Sequence, residues 1–133
     1  MPEPLTLEPG LTGEASVTVT DDLTAAALGS GSVEAYSTPA LIALLEAAAI
    51  DALGDRLPEG QTTVGVSLNV RHLAATPVGM TVHATATLKE IDGRRLAFDV
   101  EAWDAVERIG AGTHERFIVD RARFEERVRG KKA

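Results

Sequence analysis

From Ala40 to Ile50 the chain carries one ionisable side chain, Glu46, among Ala, Leu and Ile, and Thr38-Pro39 stands immediately before that run. Thr is a good helix N-cap and Pro suits the first helical position, so a helix is expected from about Thr38, with Gly54 closing it. Such a helix is apolar nearly all round, which marks an element covered on most sides rather than a surface amphipath. Positions 42, 46, 49 and 53 form one stripe at helical spacing, which places Glu46 in line with Ile42, Ala49 and Leu53 and turns it away from water.

Whatever covers that helix has to come from the strands, because period two dominates most of the remaining sequence. Ala15 to Thr20 reads Ala-Ser-Val-Thr-Val-Thr, a short β-branched run. Val64, Val66, Leu68 and Val70 alternate with Gly65, Ser67, Asn69 and Arg71, and in an unbroken strand His72 shares the apolar parity. Val82, Ala84, Ala86 and Leu88 repeat the pattern, Asp92-Gly93 signals a hairpin, and Leu96, Phe98, Val100 and Ala102 return. A last strand is expected from about Glu107 to Val119, and 121–130, with Phe124 and Val128 four residues apart, reads as a short terminal helix. One strand, a buried helix and then consecutive hairpin-linked strands predict an α+β fold, a sheet wrapped over a central helix in one domain spanning 1–133. Residues 1–13 form an extended arm in this reading, and 24–32, ending in Gly29-Ser30-Gly31-Ser32, form a loop or a lid.

The chain's 133 residues can bury a core without covalent help, and the lack of cysteine excludes disulfides, Cys-based zinc sites and thiol nucleophiles. A net charge of −7 argues against nucleic acid as the main ligand, although the basic residues concentrate late, in Arg116, Arg121, Arg123, Arg127, Arg129, Lys131 and Lys132. The opening MPEPLTLEPG lacks the pattern of a secretory signal and no stretch is apolar enough to span a bilayer, so a cytoplasmic protein without a membrane partner is expected. Three histidines without a helical pair make no recognisable metal site.

An acid desolvated by Ala and Leu suits general-base or nucleophilic work; the alternative is a structural carboxylate bonded to backbone or to an arginine at a subunit contact. Thr38 is explained by capping alone, yet a hydroxyl at a helix start can also meet a ligand. His72 is either a satisfied core histidine or a catalyst, and His83 reads as a solvated sheet residue. Gly65 interrupts a β-branched strand, which implies close approach of another group or a bulge. Thr113-His114-Glu115-Arg116 reads as a solvated face, and Gly110-Ala111-Gly112 is too short for a nucleotide loop.

Three blocks go further: Ser37-Thr38-Pro39 through Glu46-Ala47, Val70-Arg71-His72-Leu73-Ala74-Ala75-Thr76-Pro77, and Gly110-Ala111-Gly112-Thr113-His114-Glu115-Arg116. Together they resemble the hot-dog thioesterases, and among them the fluoroacetyl-CoA thioesterase family, from about Glu34 to the C-terminus. The resemblance implies a hot-dog fold and a metal-independent, cofactor-free acyl-CoA thioesterase acting on a small acyl group. It also implies a homodimer, or a larger assembly built on it, with coenzyme A near the subunit interface. Thr38, Glu46 and His72 match the residues that act on the thioester, and Gly65 and Arg116 match those that shape the acyl pocket. The aromatic lid of that family falls near Ser32, and Pro39 follows the threonine where the family has glycine, so a more open and less selective pocket is implied. A non-catalytic acyl-CoA-binding module and a hot-dog hydratase or dehydratase are the competing functions; an Asp-x-Asn-Pro-x-His motif for the latter is absent.

Overall fold

The computed structural model describes residues 7–133. Its elements are β1 (Thr12–Thr18), a single helical turn α1 (Ala25–Leu28), α2 (Thr38–Leu53), β2 (Gln61–His72), β3 (Thr81–Asp92), β4 (Arg95–Trp103), β5 (Arg108–Asp120) and α3 (Arg121–Gly130). The five strands form one antiparallel sheet in the order β1-β3-β4-β5-β2, curled around α2. The expected α+β wrap over a central helix is the observed architecture. Of the N-terminal arm, residues 1–6 lie outside the described residues. The rest runs beside β3, with Gly10 N–H on Leu88 O and Leu88 N–H on Leu11 O, each 2.8 Å.

Alternation places the core where the sequence pattern puts it. Val82, Ala84, Ala86 and Leu88 of β3 and Leu96, Phe98, Val100 and Ala102 of β4 are all buried against Leu41, Leu45, Ala48, Ala49 and Leu53 of α2. The β3–β4 hairpin has the two-residue turn Gly93-Arg94, and Gly93 at φ 61° occupies the first central position, as a type II′ turn requires. The helix sits close to the sheet because small residues face it. A Cβ at Gly13 would collide with the α2 backbone at Ala48 and Ala52, and one at Gly110 would press on the Leu41 side chain at 3.0 Å.

Three expectations change. The cap of α2 is Ser37, whose side chain accepts the Ala40 N–H at 3.2 Å, so Thr38 is the first helical residue and its hydroxyl is released from capping. The helix is not covered on most sides, since Ala43, Ala47 and Ile50 form an exposed apolar strip. The parity of β2 breaks at a bulge between Gly65 and Ser67. Thr63 and Gly65 face α2 before it, Leu68, Val70 and His72 face α2 after it, and Val64 pairs with the exposed Phe117 on the outer surface.

Gly13→Ala is expected to destabilise the fold by about 1–3 kcal/mol, because the methyl meets backbone that has no rotamer to yield. Urea unfolding of the two proteins measures it; an unchanged midpoint would show that β1 and α2 separate freely.

Candidate functional site

The polar side chains on the inner face form two clusters. The first joins the start of α2 to the end of β2: Thr38 Oγ1 and His72 Nδ1 are 2.8 Å apart. Tyr36 stands edge-on to the imidazole, with ring centroids 6.4 Å apart and planes at 81°. The Tyr36 hydroxyl and His72 Nε2 are both buried without a hydrogen-bond partner among the described residues. These three residues line a cleft of about 430 Å³ whose other wall is Ser30, Gly31, Val33 and Ala74. Ser32 is exposed and does not line it, so the wall expected at Ser32 is made by its neighbours. The 24–32 segment is a helical turn capped by Thr24 and ended by Gly29 in the left-handed region, φ 72°.

The second cluster centres on Arg116, which is 4% exposed. Its Nε–H donates to Thr63 Oγ1 at 2.9 Å, and its terminal nitrogens donate to Thr63 O and Glu46 Oε2 at 3.1 Å and to His114 Nε2 at 3.2 Å. Since His114 Nε2 accepts, its proton is on Nδ1, which donates to Ser67 O at 2.9 Å; the ring is neutral and its tautomer fixed. Phe98 stacks on it with centroids 6.1 Å apart.

Glu46 is therefore neither unpaired nor turned from water: Arg116 holds one oxygen, and the side chain is 34% exposed at the margin of the Ala43, Ala47 and Ile50 strip. Gly65 is both things its position allowed. It adjoins the bulge, and it is where another group comes close, that group being the Glu46 carboxylate, which a Cβ would strike. The solvated face expected at 113–116 is only half of the strand: Thr113 is exposed and Glu115 bonds Ser67 and Arg95 on the outside, whereas His114 and Arg116 are buried. His114 is the residue that sequence reasoning missed. The available signal was its parity with Gly110, Gly112 and Arg116 on one face of β5. His83 is a half-exposed outer residue bonded to Ser16 at 2.7 Å, as expected.

The two clusters are separated. Thr38 and Glu46 are eight residues apart in α2, or about 12 Å along the axis. Among the described residues no group of His, Asp and Glu side chains could hold a metal ion, and no helix is long and apolar enough to cross a membrane.

A curled five-stranded sheet around a central helix, with polar clusters set between the two, defines a hot-dog thioesterase. The chain belongs to the fluoroacetyl-CoA-specific thioesterase family (FlK), whose sequence model matches residues 19–122. It is 41% identical over 98 residues to the fluoroacetyl-CoA thioesterase of Streptantibioticus cattleyicolor, which covers 74% of this chain and 70% of that protein. A solved structure of the fluoroacetyl-CoA thioesterase FlK superposes with a TM-score of 0.88 at 33% identity, over 96% of this chain and 98% of that one. A point mutant of FlK in complex with fluoroacetate and CoA gives 0.84 at 33% identity, over 89% and 99%. A thioesterase superfamily member from Thermus thermophilus gives 0.84 at 28% identity, over 92% and 90%.

Burial pushes the pKa of His72 below the ordinary 6.5, against a smaller opposing pull from the Ala74 backbone. Burial does the same for His114, where the Ser67 carbonyl pulls upward and the Arg116 charge adds to the lowering. As pH falls through 6.5, the unfolded chain binds protons that the folded chain refuses, so stability is full above that pH and declines below it. The urea midpoint is expected to drop between pH 7.5 and 5.5, with both imidazoles titrating below 6.5 by NMR. Imidazoles titrating at or above that value would contradict the burial argument.

Proposed function

We propose that the protein hydrolyses a small acyl-CoA thioester in the cytoplasm, as a homodimer in which each active site takes its Thr38–His72 pair from one subunit and Glu46 from the other. The observation that carries this reading is the separation of two complementary half-sites. One has a hydroxyl–imidazole pair facing a cleft, and the other a carboxylate held on a buried arginine. The two half-sites do not meet within a protomer, and a twofold contact is the economical way to join them.

The surface for that contact is present. β2 is an edge strand of 12 residues, with Val66 exposed, and it continues into the apolar strip Ala43, Ala47 and Ile50 of α2. Unpaired, such an edge is a template for another strand. Antiparallel pairing of two copies of β2, centred between Leu68 and Asn69, sets Gly65 of one strand opposite His72 of the other. The carboxylate beneath Gly65 then adjoins the partner's Thr–His cleft.

In the joined site, attack on the carbonyl comes from Glu46 directly or from a water that it deprotonates; Oε1 has no partner among the described residues and is the oxygen available for it. The C–S bond breaks and water supplies the carboxylate oxygen; the proton that this water gives up passes through His72 to the departing thiolate, so that the imidazole ends neutral as it began. Thr38 orients His72 through Nδ1. Its backbone N–H is the one left at the helix start to face a developing oxyanion, because Pro39 has none and Ser37 accepts the Ala40 N–H. The exposed, small-residue wall at 29–33 supports a pocket open to acyl groups other than fluoroacetyl.

Free thiol released from a panel of acyl-CoAs tests the chemistry. Glu46→Ala and His72→Ala are expected to lose about 10²–10⁴ in kcat. Equal rates in all three proteins would sink the proposal, and tight binding without turnover in the wild type would select a binding module.

Ala47→Arg, on the exposed strip, is expected to yield a folded monomer by sedimentation with activity lost, although it touches neither half-site. A fully active monomer would reject the shared site.

A further inference from the structure

We propose that the cleft between β5 and α3 holds the nucleotide end of coenzyme A, with Arg94, Arg123 and Arg127 on its phosphates and Phe117 and Phe124 against its base. The cleft is about 420 Å³ and is lined by these five residues together with the end of β5. That is in the range of small-ligand sites. On a protein of net charge −7, three guanidinium groups that face one cleft stand out. None of the three has a carboxylate within ion-pair distance among the described residues, whereas the neighbouring Arg95 and Arg121 are both paired, to Glu115 and Glu125. Asp120, the acid at the cleft, is occupied in capping α3 through the Arg123 N–H at 3.1 Å. Arginine forks match phosphate oxygens, and Arg and Phe both offer faces to a purine.

The cleft is also placed to receive the far end of a ligand whose acyl group is at Glu46. A second cleft, of about 540 Å³, runs from Thr63, which holds Arg116, past Ile50, one turn beyond Glu46, to Arg121 at the start of α3. The first turn of α3 thus borders the inner cleft at Arg121 and the arginine cleft at Arg123. The extended pantetheine arm follows the inner cleft, and the charged end emerges at the arginines that lack a carboxylate partner, of which Arg94 donates to Ile118 O at 3.2 Å. The two phenylalanines lining the cleft favour a nucleotide over an acidic carrier-protein surface.

This assignment rests on the acyl-thioester reading, and its test separates the two. The wild type and the double variant Arg123→Ala/Arg127→Ala are assayed with one acyl group carried on coenzyme A and on pantetheine alone. KM for the CoA ester is expected to rise by at least about tenfold at unchanged kcat, while KM for the pantetheine ester does not move. Equal changes on both esters, or an effect confined to a carrier-protein thioester, would overturn it. Calorimetry with adenosine bisphosphate, the nucleotide end without its arm, gives the independent readout: binding to the wild type, lost in the variant. Inorganic phosphate binding as well as the nucleotide would reduce the cleft to an anion patch and overturn it too. If the wild type cleaves no thioester, the activity proposal fails, and the calorimetry alone decides the cleft.

Discussion

The seating of α2 against the sheet governs everything else in this molecule, and it depends on side chains that are missing. Gly13 of β1 and Gly110 of β5 lie where a Cβ would press on the helix, and Gly65 of β2 lies where one would strike Glu46. With those gaps the helix packs onto the strands through Ala48, Ala49 and Ala52, and its polar side chain is set directly against β2 and β5. A bulkier core would hold the helix further off. Glu46 would then no longer reach Arg116, and the carboxylate would lose its fixed orientation.

Arg116 shows how a buried charge is retained in such a thin layer. Its donors are distributed over Thr63 twice, Glu46 and His114, so the guanidinium loses little when water is excluded. The same network sets the tautomer of His114 through Ser67 O. Glu46 is the partly exposed carboxylate of this network, with one oxygen on Arg116 and the other without a partner among the described residues.

Legibility in the sequence followed periodicity. β3 and β4 are regular along the stretches that were read, and their inner residues all match the apolar parity; the lone bulge in β3 lies beyond Leu88. Thr38, Glu46 and His72 were singled out from chemistry and resemblance; the structure joins Thr38 to His72 and leaves Glu46 with Arg116. A helix spacing of eight residues keeps Thr38 and Glu46 apart, and a single chain does not show what meets its edge. His72 reached the helix side as expected, yet by way of a bulge at Val66 that reverses parity between Val64 and Leu68. Val64, counted on the inner face, is outside for the same reason. His114 was obscured by neighbours: Glu115 and Thr113 make the segment look solvated, and alternation reads as such only once the strand's facing is known.

The bulge also bears on how the half-sites could combine. Without it, Gly65 and His72 would lie on opposite faces of β2, since seven residues separate them and alternation changes sides at every step. One extra residue at Val66 brings both to the helix side while leaving Val66 exposed at the edge. In a two-fold pairing along that edge, a glycine that admits the carboxylate and a histidine that contacts Thr38 would then open to the same side of the joined sheet. Within one protomer that facing already serves two contacts, Gly65 with Glu46 and His72 with Thr38. The proposed shared site would use the same alignment a second time, across the twofold axis.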